Sequence, residues 1–311
     1  MPPSGGRVGP SPTTLALAQD LVLTAWETGS RARRVTIAKK ALALSEDCAD
    51  AWSLLASETA RTPEDAIELY RKAVAAAERA LGPEAFTEYL GHFWGVLETR
   101  PYMRARHGLA TAQWDAGQYE EAVDGMVEML RLDPNDSQGV RYLLVAWLLE
   151  LGRHEELDAL LAGYEGEIYA GWAYARALLA FRRDGECDQA RALLDAAMAA
   201  NPLVPDYLLG RRGMPRHLPE TIGIGDDSEA VTVAADFTAS WYGTPGARDW
   251  LRERAHVAGQ LRDADVAVTR ANLVGQLMSL PARERAAAAQ ALIDSLDGDD
   301  DLAGLTLIRK H

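Results

Sequence analysis

The sequence predicts an all-α protein: a tetratricopeptide-repeat helical solenoid closed by a C-terminal helical cap. Three observations carry this. An 18-residue phrase occurs twice, GQYEEAVDGMVEMLRLDP at residues 117–134 and GECDQARALLDAAMAANP at residues 185–202. The copies lie 68 residues apart, which is two steps of the 34-residue period of tetratricopeptide helix pairs. The paired positions also suit that unit, namely Gly117/Gly185, Ala122/Ala190, Met126/Leu194, Met129/Ala197 and Pro134/Pro202. A glycine serves the turn, a small residue lets the second helix approach the first, and proline ends it.

Composition narrows the class. The 311 residues are 48% apolar and can bury a sizeable core. A net charge of −14 argues against general binding to nucleic acid or to anionic membranes, which requires clustered Lys and Arg. Nearly all the basic charge is arginine, as in a GC-rich bacterial genome. Cys48 and Cys187 form no disulfide framework, so a reducing, cytoplasmic setting is expected. The opening MPPSGGRVGPSP has no apolar core of a secretory signal, and the longest apolar run, residues 142–149, is too short to span a bilayer.

Taken in order, residues 1–13 are Pro, Gly and Ser without periodicity and read as a disordered tail. The solenoid is assigned to residues 14–204. Its first helix starts from Thr14, with Leu15, Leu17, Leu21, Leu23 and Trp26 as the expected stripe. A second helix covers about 32–44, and SEDCADAWSLLA leads into the next pair through Trp52, Leu55 and Ala56. Thr62-Pro63 is an N-cap followed by proline at the first helical position, and Ala66, Tyr70 and Ala73 carry the packing spacing.

Residues 84–100 break the period as an aromatic insertion with Phe86, Tyr89, Phe93 and Trp94, followed by Tyr102. Its rings either form a binding surface or plug one repeat against the next. Repeats then start near Met103, Ser137 and Gly171; the middle one is degenerate, with its turn glycine displaced to Gly152. After Pro202 a Pro- and Gly-rich loop and further helices, residues 205–260, are expected to cap the solenoid. There Asp226 with Glu229 forms a capping-box pattern, and Thr244-Pro245 starts a helix holding Ala247, Trp250 and Leu251. Residues 261–311 read as two C-terminal helices and an acidic tail.

Motifs for catalysis are missing from the sequence: no phosphate-binding loop, no nucleophile elbow, no H-E-x-x-H and no C-x-x-C. The six histidines have no metal-ligand partner at helical spacing. No enzyme activity, metal or cofactor is therefore expected.

A binding face follows from the repeat phase. Positions 2, 5, 9 and 12 of each first helix line the concave side of such a solenoid. In three repeats these are Arg104, His107, Thr111 and Trp114; Gln138, Arg141, Val145 and Leu148; and Trp172, Ala175, Leu179 and Arg182. No carboxylate falls among them in a strongly acidic chain. Arginine forks carboxylates and tryptophan packs on a peptide stem. Arg104, His107, Trp114, Arg141, Trp172 and Arg182 are thus the candidate partner-binding residues. The expected ligand is an extended acidic segment of another protein or peptide, with no nucleic acid and no membrane involved. Alternatively, the arginines pair with neighbouring helices of the chain itself.

The stretch NPLVPDYLLGRRGMPRHLPETIGIGDDSEAVTVAADFTASWYGTPGARDWL resembles the suppressor-of-tumorigenicity seven family. An NP-x-VP-x-YLL phrase, Pro-rich sequence, a GD-SEA helix start and a Trp-containing helix follow in that family's order. The ETRPYMRARHGLA region is similar as well, to bacterial proteins of that layout, and the resemblance extends over about residues 31–251. It implies a helical-repeat interaction protein with no known catalytic activity. Animal members carry membrane-spanning segments that this sequence does not show. A weaker likeness at residues 277–297, LMSLPARERAAAAQALIDSLD, is to the helical segment of small bacterial antitoxins. Two functional readings follow: a cytoplasmic, non-catalytic interaction adaptor, or an antitoxin-like regulator acting through its C-terminal helices with the repeats as partner sensor.

Overall fold

The structure is a computed structural model that describes residues 12–259. Expectations for residues 1–11 and for the two helices and acidic tail of 261–311 lie outside the described residues. The described residues are all-helical, with no strand among them. The chain divides into two compact units, Met1–Glu165 and Gly166–His311.

In the first unit, α1 (Pro12–Trp26), α2 (Arg31–Leu44), α3 (Ala49–Thr59) and α4 (Pro63–Leu81) form two helix pairs. After a short α5 (Ala85–Glu88) and a 3₁₀ turn (Phe93–Gly95) come α6 (Arg100–Asp115), α7 (Tyr119–Leu132), α8 (Val140–Leu151) and α9 (His154–Gly163). Each of α1/α2, α3/α4, α6/α7 and α8/α9 is a pair packed along a short turn, and α4 also packs on α6.

Local chemistry explains the boundaries. The Thr62 hydroxyl accepts the Asp65 amide at 3.2 Å, which satisfies an orphan donor at the start of α4, while the Asp65 carboxylate accepts the amide of Arg61, the residue before the cap, at 3.2 Å. Gly117 stands at φ 76° in the α6/α7 turn and Gly152 at φ 70° ending α8, a left-handed backbone that side chains disfavour.

The first helix corrects the expected stripe. The residues it buries are Ala18, Val22 and Ala25, whereas Leu17, Leu23 and Trp26 are 55%, 49% and 42% exposed. The cluster it joins on α2 and α3 holds the small side chains Ala38, Ala41, Cys48 and Ala51 together with Leu54 and Leu55. Close helix approach selects small residues, so Leu17 and Leu23 turn outward, while Leu15 and Leu21 stay partly buried against the cluster as expected.

The insertion resolves toward packing. Phe93 is fully buried and Tyr102 nearly so, and Phe86, Phe93 and Tyr102 form a triangle of rings with centroids 4.9–5.8 Å apart. Thr99, also buried, donates its hydroxyl to the carbonyls of Phe93 and Val96. Trp94 is half-buried with the Arg100 guanidinium 5.3 Å from its ring.

The second unit holds α10 (Ala170–Asp184), α11 (Asp188–Ala200), α12 (Val204–Leu208), α13 (Asp227–Gly243) and α14, residues 247–259 at the limit of the described chain. α10 pairs with α11 through a turn at Gly185, and α13 packs on both α10 and α12. Phe181, Trp241 and Trp250 stack in one row, with centroids 4.5 and 6.1 Å apart. Ala122, Met126 and Met129 in α7 and Ala190, Leu194 and Ala197 in α11 are all buried, at the repeat-paired positions.

Candidate functional site

Four of the six candidate residues lie in the first unit. Arg104 on α6 grips Asp50, in the first turn of α3, in a fork of Nε–Oδ1 2.8 Å and Nη2–Oδ2 2.6 Å. Asp50 is fully buried, and the Gln19 amide of α1 donates to the same carboxylate. The buried thiol of Cys48 lies 3.7 Å from Gln19 Oε1, and burial pushes it up to about 11. The outer face of the Arg104 guanidinium is covered by the half-open Trp26 ring, 5.1 Å away. One buried carboxylate thus orders α1, α3 and α6, and leaves 31% of the arginine side chain accessible.

Arg141 is held in a second station. Asp136, buried and at φ 50°, receives the amides of Val140 and Arg141 at 2.7 and 3.0 Å and the Arg141 Nη1 at 3.0 Å. It therefore ends the chain reversal and starts α8 at once. Burial raises the Asp136 carboxyl above its ordinary range in spite of these donors. Tyr142 and Tyr164 flank the guanidinium, with centroids at 4.4 and 5.0 Å, and Tyr142 Oη accepts from Arg141 Nη2 at 2.6 Å. His107 is in the field of Asp136, but burial dominates and pulls the imidazole below its ordinary value. Trp114 stacks on Trp147 of α8 at 4.4 Å and 4°, with Tyr119 edge-on at 4.7 Å.

The other two lie in the second unit. Trp172 is 3% exposed. Arg182 donates from Nε to the Thr244 hydroxyl at 2.8 Å and from Nη2 to the Ser240 carbonyl at 3.1 Å. A cation there meets the carbonyl end of α13, where the helix dipole favours it. Burial pulls this guanidinium below its ordinary value. Val145, Leu148, Ala175 and Leu179, which the repeat phase puts on the same face, are buried as well.

The three arginines thus have partners inside the chain, the alternative that sequence reasoning left open. It missed those partners, Asp50, Asp136, Thr244 and the Trp26 and Tyr164 rings. Each is distant in sequence or sits in a turn, so no periodicity marks it. Among the described residues there is no cluster of His, Cys, Asp and Glu able to hold a metal ion, and no helix long and apolar enough to cross a membrane.

A further constellation ties the two phrases after the repeats together. Glu229 is fully buried, and its carboxylate accepts the Ala170 amide at 2.9 Å, the Asn201 side-chain amide at 2.9 Å and the Gly225 amide at 2.8 Å. The capping-box expectation is half right. Asp226 does cap α13, accepting from Ser228 and Glu229, but Glu229 turns inward instead of back to the cap. Tyr207 adds a second tie, its hydroxyl 2.9 Å from both Asp227 carboxylate oxygens. Thr244, expected as an N-cap, donates its hydroxyl back to the Ser240 carbonyl at 2.7 Å.

These two phrases are among those that resemble a known family, and comparison with known proteins agrees. The family model described as ST7 protein matches residues 13–255. The suppressor of tumorigenicity 7 protein-like of Rattus norvegicus is 28% identical over 250 residues, covering 73% of this chain and 44% of its own length. That of Bos taurus is 29% identical over 250 residues, with 73% and 45% covered. The protein ST7 homolog of Caenorhabditis elegans is 27% identical over 272 residues, with 75% and 49% covered. The chain spans less than half the length of these relatives. With the match covering residues 13–255, the chain belongs to the ST7 protein family.

Proposed function

We propose that the chain is a tetratricopeptide-repeat solenoid acting as a non-catalytic adaptor that takes up an extended, acidic segment of another protein. The 68-residue offset supports the repeat reading, since its paired positions are buried in α7 and α11 alike. The observation that carries the adaptor role is the Arg104 station. Asp50 occupies Nε and Nη2 of the guanidinium, and Nη1 forms no hydrogen bond among the described residues. A planar donor is thus held rigid, with its outer edge open beside a tryptophan that is 42% exposed. Such an anchor binds a carboxylate or carbonyl oxygen at little ordering cost, while the ring packs on the adjoining stem. Two free thiols, Cys48 and Cys187, favour a reducing cytoplasm, and the arginine-dominated basic composition favours a bacterial source.

The test is a photo-crosslinking phenylalanine analogue in place of Trp26 in the full chain. A discrete adduct whose partner peptide is rich in Asp and Glu is expected. A control with the same analogue at exposed Lys39 should give none. Equal labelling from both positions, or no adduct at either, overturns the reading.

A further inference from the structure

The stretch between α12 and α13 carries an inference that the helices do not. It runs for residues 209–226 with no helix, longer than a connection in a compact unit needs, and such loops serve a function when they are ordered. Its ends are pinned. The amides of Arg211 and Arg212 donate to the Asp206 carbonyl at 2.8 and 3.1 Å, and those of Gly223 and Gly225 donate to Ser228 Oγ and Glu229 Oε2 at 2.9 and 2.8 Å. Between these anchors the loop turns its apolar side chains outward. Met214, Leu218 and Ile222 are 45%, 54% and 47% exposed, so they contribute little to the core of the unit.

The charge is as unusual as the exposure. Residues 211–219 hold three arginines and a histidine with no carboxylate, in a chain of net charge −14. Arg211 and Arg212 pair with Asp206 and Asp227, but all four side chains are well exposed and such pairs are weak enough to exchange. Arg216 has no ion pair among the described residues. Pro215 and Pro219 restrict the backbone around it, which lowers the entropy lost when the segment docks.

We infer that this loop is a second docking element, which takes a short acidic peptide carrying large apolar side chains. The carboxylates of the peptide meet Arg211, Arg212 and Arg216, and its apolar groups cover Met214, Leu218 and Ile222. A peptide fits better than an anionic membrane. A flat charged surface feels the acidic remainder of the protein, whereas a peptide lying within about 10 Å of the loop is screened from it. The inference rests on the adaptor reading and adds to it the site and partner chemistry.

The experiment is selection of a random displayed peptide library on the full chain, followed by titration of the winning peptide. Selected peptides should be enriched in Asp and Glu next to Leu, Phe or Trp. Their affinity should fall about tenfold or more in an Arg216→Glu, Leu218→Ser double variant, with helical content by circular dichroism unchanged. Raised salt should weaken binding to the native chain. Peptides that bind the loop variant as tightly as the native chain overturn the loop assignment and leave the adaptor reading standing. Selection without acidic enrichment overturns the partner chemistry, and a selection that yields no binder overturns both readings. Two further outcomes overturn the assignment: loop-dependent binding to phosphatidylserine vesicles in place of peptides, and a concentration-dependent self-association that the double variant abolishes.

Discussion

The side-chain amide of Asn201 donates to the carboxylate of Glu229 over 2.9 Å, both residues being fully buried. Asn201 ends α11 and Glu229 opens α13, so one hydrogen bond joins the close of the α10/α11 pair to the helix packed on it. Asn201 is saturated around this contact. Its Oδ1 accepts the Leu203 amide at 3.0 Å, its carbonyl accepts the Tyr174 hydroxyl at 3.0 Å, and its Nδ2 also donates to the Asp226 carbonyl at 2.9 Å.

Removing the acceptor should therefore be costly. Glu229→Ala strands the donors of Ala170, Asn201 and Gly225 and is expected to destabilise the second unit by about 3–5 kcal/mol. Asn201→Ala should cost less, about 1–3 kcal/mol. Chemical denaturation of the two single variants and the double variant reads the coupling. Strict additivity would show that the contact carries no energy.

The Asp50–Arg104 fork predicts a structural role as well as a binding one. Arg104→Ala leaves a fully buried carboxylate with only Gln19 to satisfy it, and should cost about 3 kcal/mol, the low end for a broken buried pair because the arginine is partly open to water. Asp50→Asn with Arg104 intact should cost less. A melting temperature unchanged by Arg104→Ala would show the fork to be energetically idle.

Gly108 is where α6 meets the Tyr70 ring of α4. A Cβ built there falls 2.2 Å from a ring carbon. Gly108→Ala should overpack the seam by about 1–3 kcal/mol despite the better helix propensity of alanine. Adding Tyr70→Leu should recover part of the loss, and a stabilised single variant would place the ring elsewhere.

Asp236 on α13 sets a pH dependence. Burial pushes its carboxyl up to about 6, against the pull of the Tyr169 side chain. The folded form then holds a proton that the unfolded chain releases near pH 4. Its contribution to stability is full below the unfolded value and is lost as pH rises through about 6. Asp236→Asn should raise the melting temperature at pH 7.5 and flatten the slope between pH 4 and pH 7; an unaltered slope would remove Asp236 as its source.

The helix pairs were legible in the sequence because each depends on local rules. Turn glycines, the Thr62 cap and the buried Ala122/Ala190 pair all follow from spacings within a few residues. The buried side of α1 was legible only in part: Leu15 and Leu21 pack partly buried against the cluster, but leucine outranks alanine in hydrophobicity, and it is Ala18, Val22 and Ala25 that fill the seam while Leu17, Leu23 and Trp26 are exposed. The state of the arginines was not legible. Their placement on helices was readable, but Asp50 reaches Arg104 across 54 residues, and Thr244 reaches Arg182 across 62. Such pairings depend on where separate helices come to lie, which periodicity within one helix does not encode. Glu229 gives the same lesson: its spacing to Asp226 predicts a cap, and only the packing of α13 against the start of α10 turned its carboxylate inward, where it meets three donors.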